Sequence, residues 1–216
     1  MKQRIMRMLG LVIAMTMATA AGQARADDAP RFGFDGVYAG FSVTGGYAES
    51  HWSAGGAGAS DRLHLSGRGG GALAGINWRE GDTVFGVALD ISATQIDGSG
   101  HGGPCAAGCA TTLERYAALR LQLGQRVGAA GHVYGFAGLA WGRFDLNPAG
   151  QPRQQRDAQG WLAGLGYEQA LEGGWSWRAE LQVMGFDDLS YSAAGPARRV
   201  GLDRSGLIRI GLVRYF

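Results

Sequence analysis

The sequence predicts an all-β fold: an eight-stranded antiparallel up-and-down transmembrane β-barrel that follows an N-terminal signal peptide. Three observations support this prediction. Eight segments alternate between apolar residues and polar or glycine residues, which on a strand places the two kinds on opposite faces. The connections between the segments are alternately short and long. The chain also ends inside the eighth segment, on the bulky aromatic residue Phe216.

The first residues have the three parts of a secretory signal peptide. Basic residues precede an apolar stretch at residues 9–21, and Ala24 and Ala26 form an A-x-A cleavage site. A transmembrane anchor is the alternative, but this apolar stretch is shorter than the roughly 18 residues that span a bilayer. We therefore predict a signal peptide at residues 1–26 and a single barrel domain at residues 27–216.

Composition excludes two broad classes of protein. Removal of the predicted signal peptide leaves 16 basic and 18 acidic residues, so the mature chain has a net charge near −2. The basic pI of the whole chain therefore does not indicate a nucleic-acid partner. Although glycine accounts for 39 of the 216 residues, the apolar fraction of 46% argues against disorder.

The first four predicted strands, at residues 36–48, 70–78, 84–94 and 112–124, each have one apolar face. These faces are formed in turn by Val37, Ala39, Phe41, Val43 and Tyr47; by Ala72, Ala74, Ile76 and Trp78; by Phe85, Val87, Leu89, Ile91 and Ala93; and by Leu113, Ala117, Leu119, Leu121 and Leu123. The opposite faces carry mostly glycine, polar and charged residues. A helical interpretation is weaker because it would place Asp90 and Arg120 within apolar faces.

The last four predicted strands, at residues 132–142, 160–170, 175–185 and 206–216, repeat the pattern. Their apolar faces include Leu139 and Trp141; Trp161, Ala163, Leu165 and Tyr167; Trp177, Ala179, Leu181 and Val183; and Ile208, Ile210, Leu212 and Phe216. Each strand is long enough to cross a bilayer when tilted. Five tryptophans lie near strand ends, as in the aromatic girdles of membrane barrels: Trp78, Trp141, Trp161, Trp175 and Trp177.

The connections favour a membrane barrel over a soluble β-sandwich, which also alternates. The short turns lie at residues 79–83, 125–131 and 171–174, and the long polar loops at residues 49–63, 95–110, 143–158 and 186–203. This alternation of short turns and long loops is typical of outer-membrane barrels. In lipid every backbone polar group must be paired, so the last strand is expected to pair with the first and close the sheet.

A closed barrel of eight strands has an interior that side chains can fill. The residues that we expect there form a polar network: Asp90, Glu114, Arg120, Gln122, Glu168, Arg178, Glu180 and Arg209. Opposite charges in this narrow space should pair, since an unpaired buried charge is costly. An ion path lined by these charges is the alternative to a polar plug, and the limited room favours the plug.

The chain resembles the small outer-membrane β-barrel family, of OmpA-like transmembrane type, and in particular the porin-like surface proteins of alphaproteobacteria. The resemblance depends on an ordered set of segments that covers most of the predicted mature chain: GVYAGFSVTGGY, AGINW, ERYAALRLQLGQR, VYGFAGLAWG, GWLAGLGYEQAL, WSWRAELQVMGFDDLSY and IRIGLVRYF. One departure is Arg214, where the family usually has an aromatic residue. This resemblance implies a location in the outer membrane of a Gram-negative bacterium.

Several expectations about partners follow from the resemblance. The family ends on a strand with a terminal aromatic residue that the barrel-assembly machinery reads, so Ile208, Ile210, Leu212 and Phe216 are the expected C-terminal assembly signal. Outer-membrane lipids and lipopolysaccharide are the expected surroundings. The implied role is non-enzymatic: envelope integrity and surface interaction with an extracellular ligand that the sequence does not identify. A narrow porin-like channel is the alternative.

Cys105 and Cys109 lie in a predicted loop of an exported chain, where a local disulfide is the expected state. A metal site that combines them with His101 lacks a nearby fourth ligand. His51 and His64 also fall on the long-loop side, but their separation in sequence does not indicate a zinc or haem site. We expect neither a metal nor a cofactor.

A lipid-modifying hydrolase or acyltransferase is the remaining alternative, because some small barrels carry Ser, His and an acid near the outer rim. Ser50 and His51, with residues 187–190, supply these residue types. No local motif identifies a nucleophile and a base among them. We therefore predict that the protein is not an enzyme.

Overall fold

A computed structural model describes residues 33–54, 58–192, 198–202 and 205–216. The predicted signal peptide, residues 1–26, lies outside the described residues. Within them the chain is almost entirely β-structure, with one short 3₁₀ turn at Glu172–Gly174. No helix in these ranges is long and apolar enough to cross a bilayer.

Eleven strands occur in the described ranges. In chain order they are β1 Gly36–Ala54, β2 Gly58–Ala59, β3 Leu63–Glu80, β4 Thr83–Gly102, β5 Cys105–Val127, β6 Gly131–Pro148, β7 Gln154–Ala170, β8 Trp175–Phe186, β9 Leu189–Tyr191, β10 Arg198–Leu202 and β11 Ser205–Tyr215. All pairings are antiparallel between neighbours around one sheet. Eight of the strands, all but β2, β9 and β10, form the wall of a barrel.

The barrel closes between its first and last strands. β1 pairs with β11 from Tyr38 opposite Tyr215 to Tyr47 opposite Gly206, and β1 also pairs with β3 on its other edge. The Phe216 amide donates to the Val37 carbonyl at 2.9 Å, which extends this seam to the last residue. Closure removes the free sheet edges that lipid would not tolerate. The predicted eight-stranded up-and-down barrel is confirmed.

The alternation in the sequence matches the two faces of the wall. Apolar side chains such as Phe41, Leu121 and Leu165 point outward and are roughly two-thirds exposed or more. Their chain neighbours point inward and are buried, and many of these are polar or charged. An outward apolar belt around a polar interior is the arrangement for a wall solvated by lipid.

The wall continues well beyond this belt at one end, which we call the loop end; the short turns lie at the opposite turn end. The prediction that residues 95–110 form a loop is wrong, because β4 and β5 continue to Gly102 and Cys105 with only two residues between them. Likewise β1, β3, β6 and β7 extend into the predicted loops, and β10 pairs with the end of β1. The loop end is therefore a β-sheet extension of the barrel.

The apolar pattern reverses where the extension begins. On β4 the outward residues change from Ile91 and Ala93 to Gln95 and Asp97, while Ile96 points inward and is fully buried. The same reversal on other strands buries an apolar cluster inside the extension that includes Trp52, Leu63, Leu65, Phe144, Leu146 and Tyr191. Outside the belt the barrel therefore has the polarity of a protein in water.

A β-bulge on β5 changes the position of one predicted site residue, Glu114. Leu113 pairs with Phe144 and Arg115 pairs with Arg143, so Glu114 is an extra residue on β5 relative to β6. The bulge places Leu113 inside and buries it, whereas Glu114 accepts a hydrogen bond from the exposed Gln155 at 3.2 Å. The prediction that Glu114 belongs to the interior network is wrong, because strict alternation does not allow for the inserted residue.

Candidate functional site: the polar network inside the barrel

Four charged side chains from four strands form the centre of the network. Arg120 donates from Nη1 to Glu180 Oε2 at 3.0 Å, and its Nε lies 3.0 Å from Asp90 Oδ2. Arg209 donates from Nη2 to Asp90 Oδ1 at 2.7 Å, and its Nη1 lies 3.7 Å from Glu180 Oε2. Two guanidinium groups thus alternate with two carboxylates. We call this arrangement, Asp90, Arg120, Glu180 and Arg209, the central tetrad.

Neutral groups and rings surround the central tetrad. The Tyr134 hydroxyl donates to Glu180 Oε1 at 2.7 Å, and Arg209 donates to the Ser42 hydroxyl at 3.0 Å. The Arg120 guanidinium lies 4.7 Å from the centre of the Phe136 ring, a distance suited to a cation–π interaction. The four charged residues are at most 3% exposed. The centre of the barrel is therefore occupied by side chains that water does not reach.

A second ion pair lies toward the turn end. Arg178 Nη2 donates to Glu168 Oε2 at 3.0 Å, and the same carboxylate accepts from Ser176 and from the Tyr215 hydroxyl. Arg178 also lies 4.7 Å from the centre of the Tyr38 ring. This pair is completely buried and has no net charge. The central tetrad and the Glu168–Arg178 pair are therefore each neutral.

Gln122 belongs to a chain of amide and hydroxyl groups beside the second ion pair. Its Nε2 donates to Asn77 Oδ1 at 2.6 Å, and Asn77 Nδ2 donates to the Tyr215 hydroxyl at 3.1 Å. His132 and Phe34 lie close by, with ring centres 5.3 Å apart, and both are fully buried. The turn end of the interior is thus occupied by rings as well as by polar groups.

The structure places seven of the predicted interior residues together and leaves out Glu114. It adds neutral partners that the sequence analysis did not select, namely Ser42, Asn77, Tyr134 and Ser176. These residues lie on the inward face of their strands, so strand alternation was the signal that could have found them. Because these side chains are uncharged, they indicate an inward position less clearly than the charged residues do.

Glycines on the inward face make room for the rings of the network. A Cβ atom added at Gly164 would lie 2.4 Å from Phe136 Cζ, and one added at Gly166 would lie 2.3 Å from Tyr134 Cζ. Both distances are far below van der Waals contact. The glycine-rich composition of the strands therefore has a packing function at these two positions.

The other predicted sites lie apart from the network. Cys105 and Cys109 form a disulfide at the start of β5, with their Cα atoms 5.3 Å apart. Ile208, Ile210 and Leu212 point outward on β11, and Phe216 follows it with 78% of its surface exposed. Arg214, which stands where the family usually has an aromatic residue, contacts aromatic rings on the outer surface. Its guanidinium lies outside the barrel, 5.7 Å from the ring centres of both Trp175 and Phe216.

The residues considered for metal binding and catalysis do not form a site. In the described parts of the chain, no group of three His, Cys, Asp or Glu side chains could hold a metal ion. Ser50 is buried inside the wall, whereas its neighbour His51 has the outward parity of the strand. His64 lies outside, where its Nδ1 is 3.4 Å from Glu49 Oε1. Ser50 and His51 are therefore not placed as a nucleophile and its base.

Comparisons with known proteins agree with this architecture. A family profile described as "Outer membrane protein beta-barrel domain" matches residues 10–196. A "31 kDa outer-membrane immunogenic protein" of Brucella melitensis is 28% identical over 163 residues, which cover 66% of this chain and 64% of that protein.

The fold is similar to that of a solved outer-membrane protein. The outer-membrane protein OprG of Pseudomonas aeruginosa superposes with a TM-score of 0.55 at 16% identity, and the match covers 87% of this chain and 99% of that one. The attachment invasion locus protein Ail of Yersinia pestis gives a TM-score of 0.43 at 15% identity, with 84% and 99% covered.

Proposed function

The chain belongs to the outer-membrane β-barrel family and lies in the outer membrane of a Gram-negative bacterium, and we propose that it acts there as a non-enzymatic structural and surface protein. In this role the barrel stabilises the envelope and presents the loop-end extension to an extracellular ligand. Outer-membrane barrels place their short turns in the periplasm, so the extension faces outward.

The observation that carries this proposal is the filled interior. The central tetrad and the Glu168–Arg178 pair occupy the middle of the barrel, and their side chains are almost inaccessible to water. An eight-stranded barrel has little further room. A neutral, close-packed network suits a rigid wall better than a path for ions or solutes.

Deletion and complementation test the proposed role. Cells that lack the protein should become sensitive to detergents and large antibiotics, and the wild-type gene should restore resistance. A second complementation uses a chain in which a short turn replaces residues 95–110. This variant separates the role in envelope stability from the role in surface interaction. The shortened chain should restore resistance while losing surface interactions. Unchanged sensitivity in the deletion strain would contradict the structural role.

A narrow channel is the second candidate, because charged residues do line the interior. Planar-bilayer recording of the purified barrel tests it: the filled interior predicts no conductance above that of the bare bilayer. Reproducible single-channel steps would favour the channel. Lipid A mass spectrometry from cells with and without the protein tests the enzymatic alternative, and we expect unchanged lipid species.

Biogenesis forms a further part of the proposal. We infer export through a signal peptide cleaved after Ala26, which N-terminal sequencing of the mature protein would test. Folding would then depend on the barrel-assembly machinery, with Phe216 and the outward residues of β11 as the recognised segment. Deletion of Phe216 should lower the amount of folded barrel in the outer membrane without lowering export.

A further inference from the structure

The chain enters β1 through a strained backbone at the turn end of the barrel. Phe34 has a φ of +53°, and no other residue in the described ranges except glycine has a positive φ. Gly36, two residues later, has a φ of +104°. A left-handed backbone is unfavourable for a bulky side chain, and such strain persists only where the surrounding structure compensates for it. We call residues 33–35 the stopper, with Gly36 as its hinge.

The Phe34 ring reaches across the mouth of the barrel. In the wall, β6 lies four strands away from β1 in either direction, yet the ring centres of Phe34 and of His132 on β6 are 5.3 Å apart. The Phe34 ring also meets Tyr215 of β11 edge to face, with 6.5 Å between the ring centres. Phe34 is fully buried, whereas the Asp35 carboxylate is exposed and lies 3.9 Å from Arg79 Nε. The stopper therefore closes the turn end from one side to the other.

An unsatisfied polar group lies directly behind the Phe34 ring. His132 is fully buried, and neither of its ring nitrogens makes a hydrogen bond with a residue that the structure describes. Its Nδ1 lies 4.0 Å from Glu168 Oε2, the carboxylate oxygen that accepts from Arg178. Burying a polar group without a hydrogen bond is costly. Two unfavourable features, the backbone strain at Phe34 and the unsatisfied imidazole, thus oppose the packing that holds the stopper closed.

We propose that the stopper opens and closes the turn end, and that its opening admits periplasmic water to His132 and the Glu168–Arg178 pair. Opening relieves the strain at Phe34 and hydrates the imidazole, while it gives up the burial of one aromatic ring. The central tetrad lies farther along the interior, so the open state is a vestibule with a closed inner end rather than a channel. The proposal rests on the proposed function only in assigning the turn end to the periplasm.

Labelling of His132 with diethyl pyrocarbonate tests the proposal. The protein is folded in lipid vesicles, and mass spectrometry of its peptides measures the modification of each histidine. A buried imidazole reacts only while the stopper is open, so the labelling rate follows the open population when closing is fast. In the wild type, His132 should react measurably but far more slowly than His64, whose side chain is 76% exposed.

Two variants change the stopper in different ways. Gly36→Ala keeps the Phe34 ring but forces a residue with a Cβ into the left-handed backbone of the hinge. It should label His132 about tenfold faster than the wild type, the factor that corresponds to the usual cost of that conformation. Phe34→Ala removes the ring, so His132 should react at a rate close to that of His64.

Gly81→Ala is the matched control. Gly81 has a φ of +61° in the turn between β3 and β4, and a Cβ added there would meet nothing within 4 Å. This variant imposes the same kind of strain outside the stopper, so His132 should be labelled as in the wild type. The difference in gel mobility between unboiled and boiled samples shows that each variant is folded.

Three results would overturn the inference: equal labelling of His132 in Gly36→Ala and the wild type, equal acceleration by Gly81→Ala, or wild-type labelling as fast as that of His64. Conductance of Phe34→Ala in planar bilayers would contradict the closed inner end of the vestibule. The first three results would leave the role of the barrel in envelope stability unaffected, which the deletion strain tests separately.

Discussion

Replacing Glu180 with glutamine tests whether the interior network is dry and mutually compensating. Glu180 accepts hydrogen bonds from Arg120 at 3.0 Å and from Tyr134 at 2.7 Å, and it lies 3.7 Å from Arg209. Glutamine has the same shape but no charge. In Glu180→Gln the two guanidinium groups would face Asp90 alone, which leaves one positive charge uncompensated.

The expected cost follows from the burial of this site. Breaking a buried ion pair by removing one partner typically lowers stability by about 3–5 kcal/mol, because the remaining charge is desolvated without compensation. Glu180 is 3% exposed and Arg120 is fully buried. We therefore expect Glu180→Gln to lower the free energy of unfolding by about 3 kcal/mol or more.

A second substitution should recover part of this loss. In Glu180→Gln/Arg120→Met the pair Asp90–Arg209 remains, so the central tetrad is neutral again. Methionine also keeps an apolar stem beside Phe136. The double variant should therefore be more stable than Glu180→Gln alone, which a double-mutant cycle measures as a favourable coupling.

The assay is urea unfolding of the barrel in lipid vesicles, followed by tryptophan fluorescence and by the shift in gel mobility between unboiled and boiled samples. Glu114→Gln is the matched control, because Glu114 lies outside the network in contact with exposed Gln155. It should change stability by less than about 0.5 kcal/mol. If Glu180→Gln behaved like this control, the interior would be hydrated and the reasoning would be refuted.

Three other perturbations test the packing, the belt and the cysteines. In Gly166→Ala the new Cβ would overlap the Tyr134 ring, so the urea midpoint should fall by an amount equivalent to about 1–3 kcal/mol. In Ile210→Arg a charge would face lipid on β11, and stability in vesicles should fall by about 2–4 kcal/mol. Without reductant, alkylation of the unfolded mature chain should label neither Cys105 nor Cys109, and reduction should expose both.

The first two of these tests each have a control variant in the same wall. A Cβ added at Gly45 would meet nothing within 4 Å, so Gly45→Ala should leave the midpoint unchanged. Ser99 is exposed on the extension beyond the belt, so Ser99→Arg should cost far less than Ile210→Arg. Equal losses for the members of either pair, or labelling of unreduced cysteines, would contradict the corresponding argument.

Much of the barrel wall could be predicted because the lipid imposes a simple rule on it. Along β5 and β8, alternate residues must be apolar outside, and the small interior selects polar or small residues between them. This rule is enough to assign Arg120 and Glu180 to the inward face, where the structure has them. Pairing between β1 and β11 then follows from the need to close the sheet.

The extension could not be predicted in the same way, because its outer face contacts water rather than lipid and its alternation of apolar and polar residues is therefore reversed. Beyond Ala93 the outward residues are polar and the inward ones, such as Ile96, are apolar. Because the outward face stops being apolar at this point, the sequence pattern predicts that the strand ends and a loop begins. The bulge at Glu114 has the same effect on a smaller scale, because the inserted residue places Leu113, which precedes it, on the opposite face from the one that the alternation after the bulge predicts.

The length of the β4–β5 hairpin determines how far the barrel projects beyond its apolar belt. Residues 93–102 continue past the belt, and at about 3.3 Å per residue with a tilt near 40° they raise the tip about 23 Å above it. Hydrogen bonds between the two strands keep that height fixed, and the Cys105–Cys109 disulfide constrains the first residues of β5 at the tip. A partner that contacts the tip would meet a stiff projection whose surface is shaped by pairing between strands, so short linear peptides from this region would be poor substitutes for the folded hairpin.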